Sequence, residues 1–370
     1  MRRASEAEKR ALNEQFAELC AIPSPWGREA AMGERVRREL ESLGLTVVAD
    51  ASGNLLTRIE GRGERRVLLC AHLDTVPHDD VPIEPVVVDD GWENANDAIL
   101  GADNKAAVAM LLAVARRVVV EGSPVPLELL FTVEEENALA GVKRFDASRL
   151  RSELGFVFDH ATPIGEVIVA SPTAYRLEVD FVGKAAHAGI RPEDGRSAIA
   201  AAARAIAAMD LGRLDQDTTA NVGTIRGGVG GTNVVPERCT LLAEARSFDP
   251  ARVEAVVARM VDHCQDAANE PACECDVDVI VERVFPGYAH PPDLPGIVAA
   301  EAALRDCGYE PRHVRSGGAS DGNVLVAAGL PVVNLANGTE RAHEATERVS
   351  VSALEGMLDV TFELLEHLRD

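Results

Sequence analysis

Several short apolar runs of this sequence end in side chains that commonly bind metal ions. The side chains are His72 after VLLCA, Glu134 and Glu135 after LLFTV, Asp159 after GFVF, and His343 after PVVNLA. Such runs are typical of buried strands in an α/β sheet, where ligands bind beyond the carboxyl ends of the strands. We therefore expect these side chains to converge, together with Asp103 at the start of a helical pattern. Two imidazoles and several carboxylates in one place predict a two-metal hydrolytic site.

Each of these residues also has an interpretation without a metal ion. Asp103 could be a helix N-cap, and His343 could be an exposed loop histidine. His72 and Asp74 could form a surface pair, although a carboxylate near a metal-bound histidine often accepts its second ring N–H. The glutamates of 134–136 could be a solvated charge run, but like charges at the end of an apolar strand are unfavourable without nearby cations.

The ligand types leave some choices open. One of Glu134 and Glu135 would bind metal, and the other would accept a proton from water. Asp159 and His160 are adjacent, so either could be a ligand. Nitrogen and oxygen ligands favour zinc, with cobalt or manganese as possible substitutes.

Composition limits the class of protein. A chain of 370 residues suits two domains, and its net charge of −23 argues against a nucleic-acid partner. No apolar run approaches the length of a membrane span, and the charged first 19 residues predict an amphipathic helix, not a signal peptide. Seven scattered cysteines predict no disulfide framework and favour a reducing cytoplasm.

The order of predicted elements indicates a discontinuous α/β domain with an insert. Strand and helix patterns alternate up to residue 170 and resume after Pro286-Gly287. Between them the order is β-α-β-β-α-β, which is typical of ferredoxin-like folds. We therefore predict a catalytic domain formed by 1–170 and 287–370, and an inserted domain formed by 171–286.

The insert contains two helical patterns. The first predicts an alanine-rich helix over 196–209, with Ile199, Ile206 and Met209 on one side. The second begins at Asp249-Pro250, since proline is tolerated in the first turn of a helix. Its predicted apolar stripe consists of Val253, Val256, Val257, Met260, Val261 and Cys264.

Motifs along nearly the whole chain resemble those of one enzyme family. They are AHLDTV, LGADNKAAVAMLL, TVEEENALAG, GKAAHAG, TTANVGTIRGG, TNVVPE, AEARSFD, SGGASDGNV and GLPVVNLANGTERAHEATERVSV. The chain resembles the zinc-dependent metallopeptidase family of peptidase T, aminoacylase and glutamate carboxypeptidase, and most closely the peptidase T-like branch. The resemblance implies a mixed, mostly parallel sheet sandwiched by helices, with an inserted ferredoxin-like domain.

The implied activity is that of a di-zinc exopeptidase acting on short peptides, similar to a tripeptide aminopeptidase. An N-acyl-amino-acid deacylase or a carboxypeptidase would use the same chemistry. A non-catalytic binding protein of the same fold would be expected to lack a ligand or the base, whereas every candidate position carries a suitable residue here.

The resemblance also implies a ligand set of two zinc ions per chain. His72 and Asp159 would hold one ion, and Glu135 and His343 the other. Asp103 would bridge the two ions, and the peptide bond that follows it would be cis.

The remaining implied roles concern catalysis, substrate and assembly. Asp74 would orient a histidine ligand, and Glu134 would be the general base and acid. In the insert, His187 would help to polarise the scissile carbonyl, and Asn233 and Arg246 would contact the peptide or N-acyl amino acid substrate. The family often dimerises through this insert, so a homodimer is expected.

Overall fold

The computed structural model divides the chain into two compact units. The residues that it describes are 3–78, 81–228 and 230–369. Unit 1 consists of Met1–Ala170 and Ala289–Asp370, and unit 2 consists of Ser171–Tyr288. The second division therefore lies two positions after the boundary predicted at 286.

Five of the described helices begin after a residue whose side chain accepts a backbone N–H group of the first turn. Ser5 and Glu8 form a capping box at the start of the first helix. Asp249, which precedes Pro250, accepts the backbone N–H groups of Ala251 and Arg252 with its side chain. The helices are α1 (Glu6–Cys20), α2 (Ala30–Ser42), α3 (Ala102–Glu121), α4 (Ala140–Arg144), α5 (Ala198–Ala208), α6 (Pro250–Asn269), α7 (Pro295–Asp306), α8 (Asp321–Ala327) and α9 (Val351–His367). Within the described residues, none of these helices combines the length and apolar character of a membrane span.

The strands contain many β-branched and apolar residues, which suit a pleated, partly buried surface. They are β1 (Val47–Ala49), β2 (Leu55–Ile59), β3 (Val67–His72), β4 (Pro85–Val88), β5 (Gly91–Asn94), β6 (Leu127–Thr132), β7 (Leu154–His160), β8 (Glu166–Ser171), β9 (Thr173–Val182), β10 (Gly212–Arg213), β11 (Thr218–Gly227), β12 (Arg238–Ser247), β13 (Asp276–Phe285), β14 (Tyr288–Ala289), β15 (Arg312–Arg315), β16 (Val332–Ala336), β17 (Thr339–Glu340) and β18 (Arg348–Ser350).

The main sheet of unit 1 is mixed, with a parallel centre. Its order is β1-β2-β6-β3-β7-β16-β8-β14, and β15 pairs with β8. The central strands β6, β3, β7 and β16 are parallel, whereas β2 pairs antiparallel with β6 and β8 pairs antiparallel with β16. Every residue of β3 and β6 is buried, and α3 buries most of its length. The predicted helix-flanked α/β sheet is confirmed, and its parallel centre places several strand ends at one edge.

A smaller sheet supports the loop that contains His343. Its order is β17-β18-β5-β4, and the His343 loop connects β17 to β18. β18 pairs antiparallel with both β17 and β5. The loop is therefore held at both of its ends by strand pairing.

Unit 2 has the predicted ferredoxin-like order with one additional short strand. The antiparallel sheet runs β10-β11-β12-β9-β13, and α5 and α6 precede β11 and β13. The predicted stripe of α6 is largely buried. Of the three residues predicted to share one side of α5, Met209 is buried and Ile206 packs against the core of unit 2, whereas Ile199 is 38% exposed. The buried side chains within α5 are Ala198, Ala201, Ala202 and Ala205.

Candidate metal centre

His72, the last residue of β3, lies among acidic side chains. The imidazole is 1% exposed, and its Nε2 atom lies 3.5 Å from Asp103 Oδ1 and 3.5 Å from Asp159 Oδ1. β3 and β7 are parallel neighbours, so His72 and Asp159 share one edge of the sheet. This cluster brings a nitrogen ligand and two oxygen ligands together.

Asp103 connects this cluster to the second histidine. Its Oδ2 atom lies 3.6 Å from Nε2 of His343, while Oδ1 faces His72. The same His343 nitrogen lies 2.8 Å from Oε1 of Glu136. The Asp103–Asn104 peptide bond is cis. One carboxylate thus presents an oxygen to each imidazole, which is the arrangement needed to share two cations.

The ligand atoms form three overlapping groups, each within 4.8 Å. The groups are His72–Asp103–Asp159, His72–Glu135–Glu136 and Asp103–Glu136–His343. Within the described part of the chain, Nε2 of His72 and Oδ1 of Asp103 are buried without a hydrogen bond. Buried polar atoms are normally satisfied, so these two atoms suit a bound cation. The donor set therefore fits divalent metal ions.

Asp74 fixes the backbone that carries the glutamates. Its carboxylate is fully buried and accepts the backbone N–H of Glu135 at 3.0 Å and that of Glu136 at 2.9 Å. Nδ1 of His72 lies 3.0 Å from the Asp74 carbonyl oxygen and 3.4 Å from its Oδ1. Asp74 therefore positions both a histidine and the segment that follows β6.

The three glutamates have different surroundings. The Glu134 carboxylate lies 2.7 Å from an Arg144 nitrogen and accepts a hydrogen bond from Asn137 at 3.2 Å. Among the described residues, Glu134 belongs to none of the three ligand groups, whereas Glu135 and Glu136 do. These contacts differ by one position from the expected ligand set, in which Glu135 was paired with His343. In the structure Glu136 contacts His343, and Glu134 contacts Arg144 and Asn137 at a partly exposed position.

Asp159 and His160 also have different surroundings. Asp159 lies beside His72, and its backbone is held by Asn334, which accepts its N–H at 3.0 Å and donates to its carbonyl at 2.9 Å. Nε2 of His160 instead lies 3.4 Å from Glu166. Of these two adjacent residues, Asp159 is therefore the candidate ligand.

The pKa values reflect an excess of buried negative charge. Burial lowers the pKa of His72, but the carboxylates of Asp159 and Asp103 outweigh this and raise it well above its ordinary value. The neighbouring carboxylates of Asp103 and Glu136 raise the pKa of His343 to about 10. Burial raises the pKa of Asp159 to about 6 and that of Glu135 well above its ordinary value. The cluster favours positive charge, and cation binding would release protons from the histidines.

The candidate residues of unit 2 occupy two places. His187 and Asn233 lie on adjacent segments, since Ala188 N–H donates to the Asn233 carbonyl at 2.9 Å. The exposed His187 ring accepts the backbone N–H of Gly189 at 3.2 Å. Arg246 lies elsewhere, on β12, with its guanidinium 3.0 Å from Glu244 and 5.6 Å from the centre of the Phe285 ring.

The sequence analysis missed three residues that surround the ligands. Glu136 fits a solvated charge run by its sequence alone, and nothing in its residue type distinguishes it from its neighbours. Asn334 on β16 forms hydrogen bonds with the backbone of Asp159. Its position as a polar residue inside an apolar strand is the feature of the sequence that could have indicated this role. Asp321 is 1% exposed and accepts a hydrogen bond from Thr132, the last residue of β6; burial raises its pKa to about 7.

Comparison with known proteins identifies the family. A model of the peptidase dimerisation domain of the M20 family matches residues 170–271, and a model of peptidase family M28 matches residues 54–184. The uncharacterized protein YqjE of Bacillus subtilis is 34% identical, over 97% of this chain and 98% of its own length. Peptidase T of Salmonella schwarzengrund is 26% identical, over 72% of this chain and 65% of its own length.

Two solved structures resemble the chain over almost its full length. Aminopeptidase PepT of Bacillus cereus has a TM-score of 0.87 and 33% identity, covering 98% of this chain and 99% of its own. A tripeptidase of Staphylococcus aureus has a TM-score of 0.91 and 31% identity, covering 98% of both chains. The chain therefore belongs to the M20 metallopeptidase family, in its peptidase T-like branch, and is a hydrolase that acts on peptide bonds.

Proposed function

We propose that this protein is a two-metal exopeptidase that hydrolyses short peptides. The observation that carries the proposal is the position of Asp103 between His72 and His343. In this assignment His72 and Asp159 would hold one ion, His343 and Glu136 would hold the other, and Asp103 would contribute to both. Glu136 takes the ligand role that the sequence analysis gave to Glu135.

The ligands suit zinc, with cobalt or manganese as alternatives, because all of them are nitrogen or oxygen. When bound, such ions would lower the pKa of a water molecule and polarise the scissile carbonyl. Glu135 would accept the proton of the attacking water and return it to the leaving amine. Two observations support this role: Glu135 belongs to a ligand group, and its carboxylate has no hydrogen bond or ion pair within the described residues.

The substrate is proposed to be a tripeptide with a free amino terminus. The solved tripeptidase from Staphylococcus aureus and aminopeptidase from Bacillus cereus support this choice, since both cover nearly the whole chain. A carboxypeptidase is the second candidate, because a relative named a probable carboxypeptidase, from Paracoccidioides brasiliensis, is 29% identical over 70% of this chain. An N-acyl-amino-acid deacylase would use the same metal chemistry, whereas a non-catalytic binding protein would not need the ligand set described above.

A panel of substrates distinguishes these activities. We expect the zinc-loaded protein to release the first residue of free tripeptides faster than it cleaves dipeptides or N-acetylated tripeptides. The products can be identified by mass spectrometry. Preferred release of the last residue would instead establish a carboxypeptidase, and preferred cleavage of N-acyl amino acids would establish a deacylase.

The residues of unit 2 are proposed to contact the substrate. Asn233 and Arg246 would bind its polar groups, and His187 would donate a hydrogen bond to the oxygen of the scissile carbonyl. The exposure of His187 and its position beside the Asn233 segment support this proposal. The match of this unit to a peptidase dimerisation domain supports a homodimer formed through it. A cytoplasmic location remains a proposal that suits the unpaired cysteines.

Replacing His187 with alanine should lower kcat by about 10²–10³-fold, because a hydrogen bond to the developing negative charge is lost. Metal content should not change, since His187 is not a proposed ligand. His263→Ala, on α6 of the same unit, is the matched control and should keep its activity. A His187→Ala enzyme with wild-type kcat would remove this residue from the mechanism.

A further inference from the structure

Glu347 is a buried carboxylate that contacts the turn preceding α3. Its side chain is 2% exposed. Oε2 accepts the backbone N–H of Gly101 at 2.7 Å, and Oε1 accepts that of Asp103 at 2.9 Å. Glu347 and Asp103 are 244 positions apart, so these bonds join two distant segments of unit 1. Because each oxygen holds a different N–H group, the turn is fixed at two points.

The turn itself cannot satisfy these two N–H groups by regular helix formation. Gly101 has a left-handed conformation, with φ at 75°, and Asp103 is non-helical, with φ at −84° and ψ at 103°. The first N–H groups of any helix also lack partners within the helix. A Cβ atom at Gly101 would lie 3.2 Å from Thr75 and 3.2 Å from Lys105 Nζ, so the turn is tightly enclosed. Without Glu347, two enclosed donors would lose their acceptor.

The other end of this contact lies in the loop that carries His343. The backbone N–H of Glu347 donates to Glu344 in the same loop at 3.0 Å, and β18 begins immediately afterwards. Nε2 of His343 lies 3.6 Å from Oδ2 of Asp103. Glu347 thus connects the two segments whose side chains face each other in the metal centre.

An ion pair does not account for the burial of Glu347. In the part of the chain that the structure describes, no lysine or arginine nitrogen lies within 4.0 Å of its carboxylate. The buried Lys105 ammonium instead donates to the Ile22 carbonyl at 2.8 Å. Both backbone donors to the Glu347 carboxylate belong to the turn that carries Asp103.

We propose that Glu347 is a positioning residue, which sets the separation of Asp103 and His343 and thereby the affinity for the ion that they share. Glu347 would act through the backbone of Asp103 and would not touch the ion, since it belongs to none of the ligand groups in the described residues. The inference rests on the proposed two-metal function. Its effect would be larger on the ion of His343 and Glu136, because the other ion would keep His72 and Asp159, which lie on β3 and β7, although both ions would share Asp103.

The test is a zinc titration of metal-free protein by calorimetry. Glu347→Gln keeps the size of the side chain but places an amide nitrogen against one of the two N–H groups. We expect the ion held by His343 to bind about 10–100-fold more weakly, as is typical when a group behind a metal ligand is changed, and the ion held by His72 and Asp159 to lose less affinity. Hydrolysis by the variant should recover when zinc is added in excess.

Two further variants make the result decisive. Glu344→Gln changes an exposed carboxylate of the same loop and should leave both affinities unchanged. Glu347→Asp keeps both oxygens on a shorter side chain and should weaken the binding of the same ion. It replaces Glu347→Gln in the test if that variant does not fold. Wild-type affinity for both ions in the folded Glu347 variants, even with a lower Tm, would overturn the inference. A wild-type protein that binds no ions would contradict the proposed function instead.

Discussion

Replacing Glu135 with glutamine should lower kcat for peptide hydrolysis by about 10²–10⁴-fold while both metal ions remain bound. The amide has the same size as the carboxylate but cannot accept the proton of the attacking water. Glu135 is 8% exposed, and Asp74 holds its backbone N–H at 3.0 Å, so the substitution should not move the segment. Metal content and kcat measured on the same preparation check this prediction.

Glu134→Gln is the matched control for this experiment. The Glu134 carboxylate contacts Arg144 and Asn137 at a partly exposed position, and surface ion pairs contribute little to stability. We expect its kcat to remain within about tenfold of wild type, since it would not transfer a proton. If Glu134→Gln were the inactive enzyme and Glu135→Gln kept wild-type kcat, the base would be Glu134, as the sequence analysis expected.

The gathering of distant ligands could be predicted from the sequence because it depends on sheet topology. His72 and Asp159 follow apolar runs, and parallel strands place such ends at one edge. Asp103 could be included because a helical pattern starts beside it. In the structure, the ligand atoms of His72, Asp103 and Asp159 lie within 4.8 Å of one another.

The choice among Glu134, Glu135 and Glu136 could not be predicted, because strand alternation stops before them. β6 ends at Thr132, and Glu134 has a left-handed backbone with φ at 50°. The turn therefore redirects the side chains, and their directions depend on hydrogen bonds to Asp74. Asp74 is distant from the glutamates in sequence, so a local sequence pattern cannot predict these hydrogen bonds.

Helix α5 shows the same limit in packing. The isoleucine side and the alanine side of this helix both have helical spacing, so periodicity does not rank them. The structure buries Ala198, Ala201, Ala202 and Ala205, and it packs Met209 and Ile206 against the same core but leaves Ile199 38% exposed. Small side chains let neighbouring elements approach closely, and this gain is not visible in a hydrophobicity pattern.

Removal of metal ions should have the largest effect of all. The carboxylates of the cluster raise the pKa of His72 and His343. The two imidazoles of the metal-free centre would therefore be protonated and could not bind a metal ion in that state. Without the ions, Glu135 would have no water of lowered pKa to deprotonate. We therefore expect chelation to abolish hydrolysis and to lower Tm, since ions that bind only the folded protein stabilise it.

The central claim is that peptide hydrolysis depends on two ions held by His72, Asp103, Glu136, Asp159 and His343. It is tested most directly by measuring metal content and tripeptide hydrolysis on one sample before chelation, after chelation and after zinc is restored. We expect up to two ions per chain at the start, no detectable hydrolysis without metal, and recovery as the ions return. Full activity in a thoroughly metal-free protein would contradict the account.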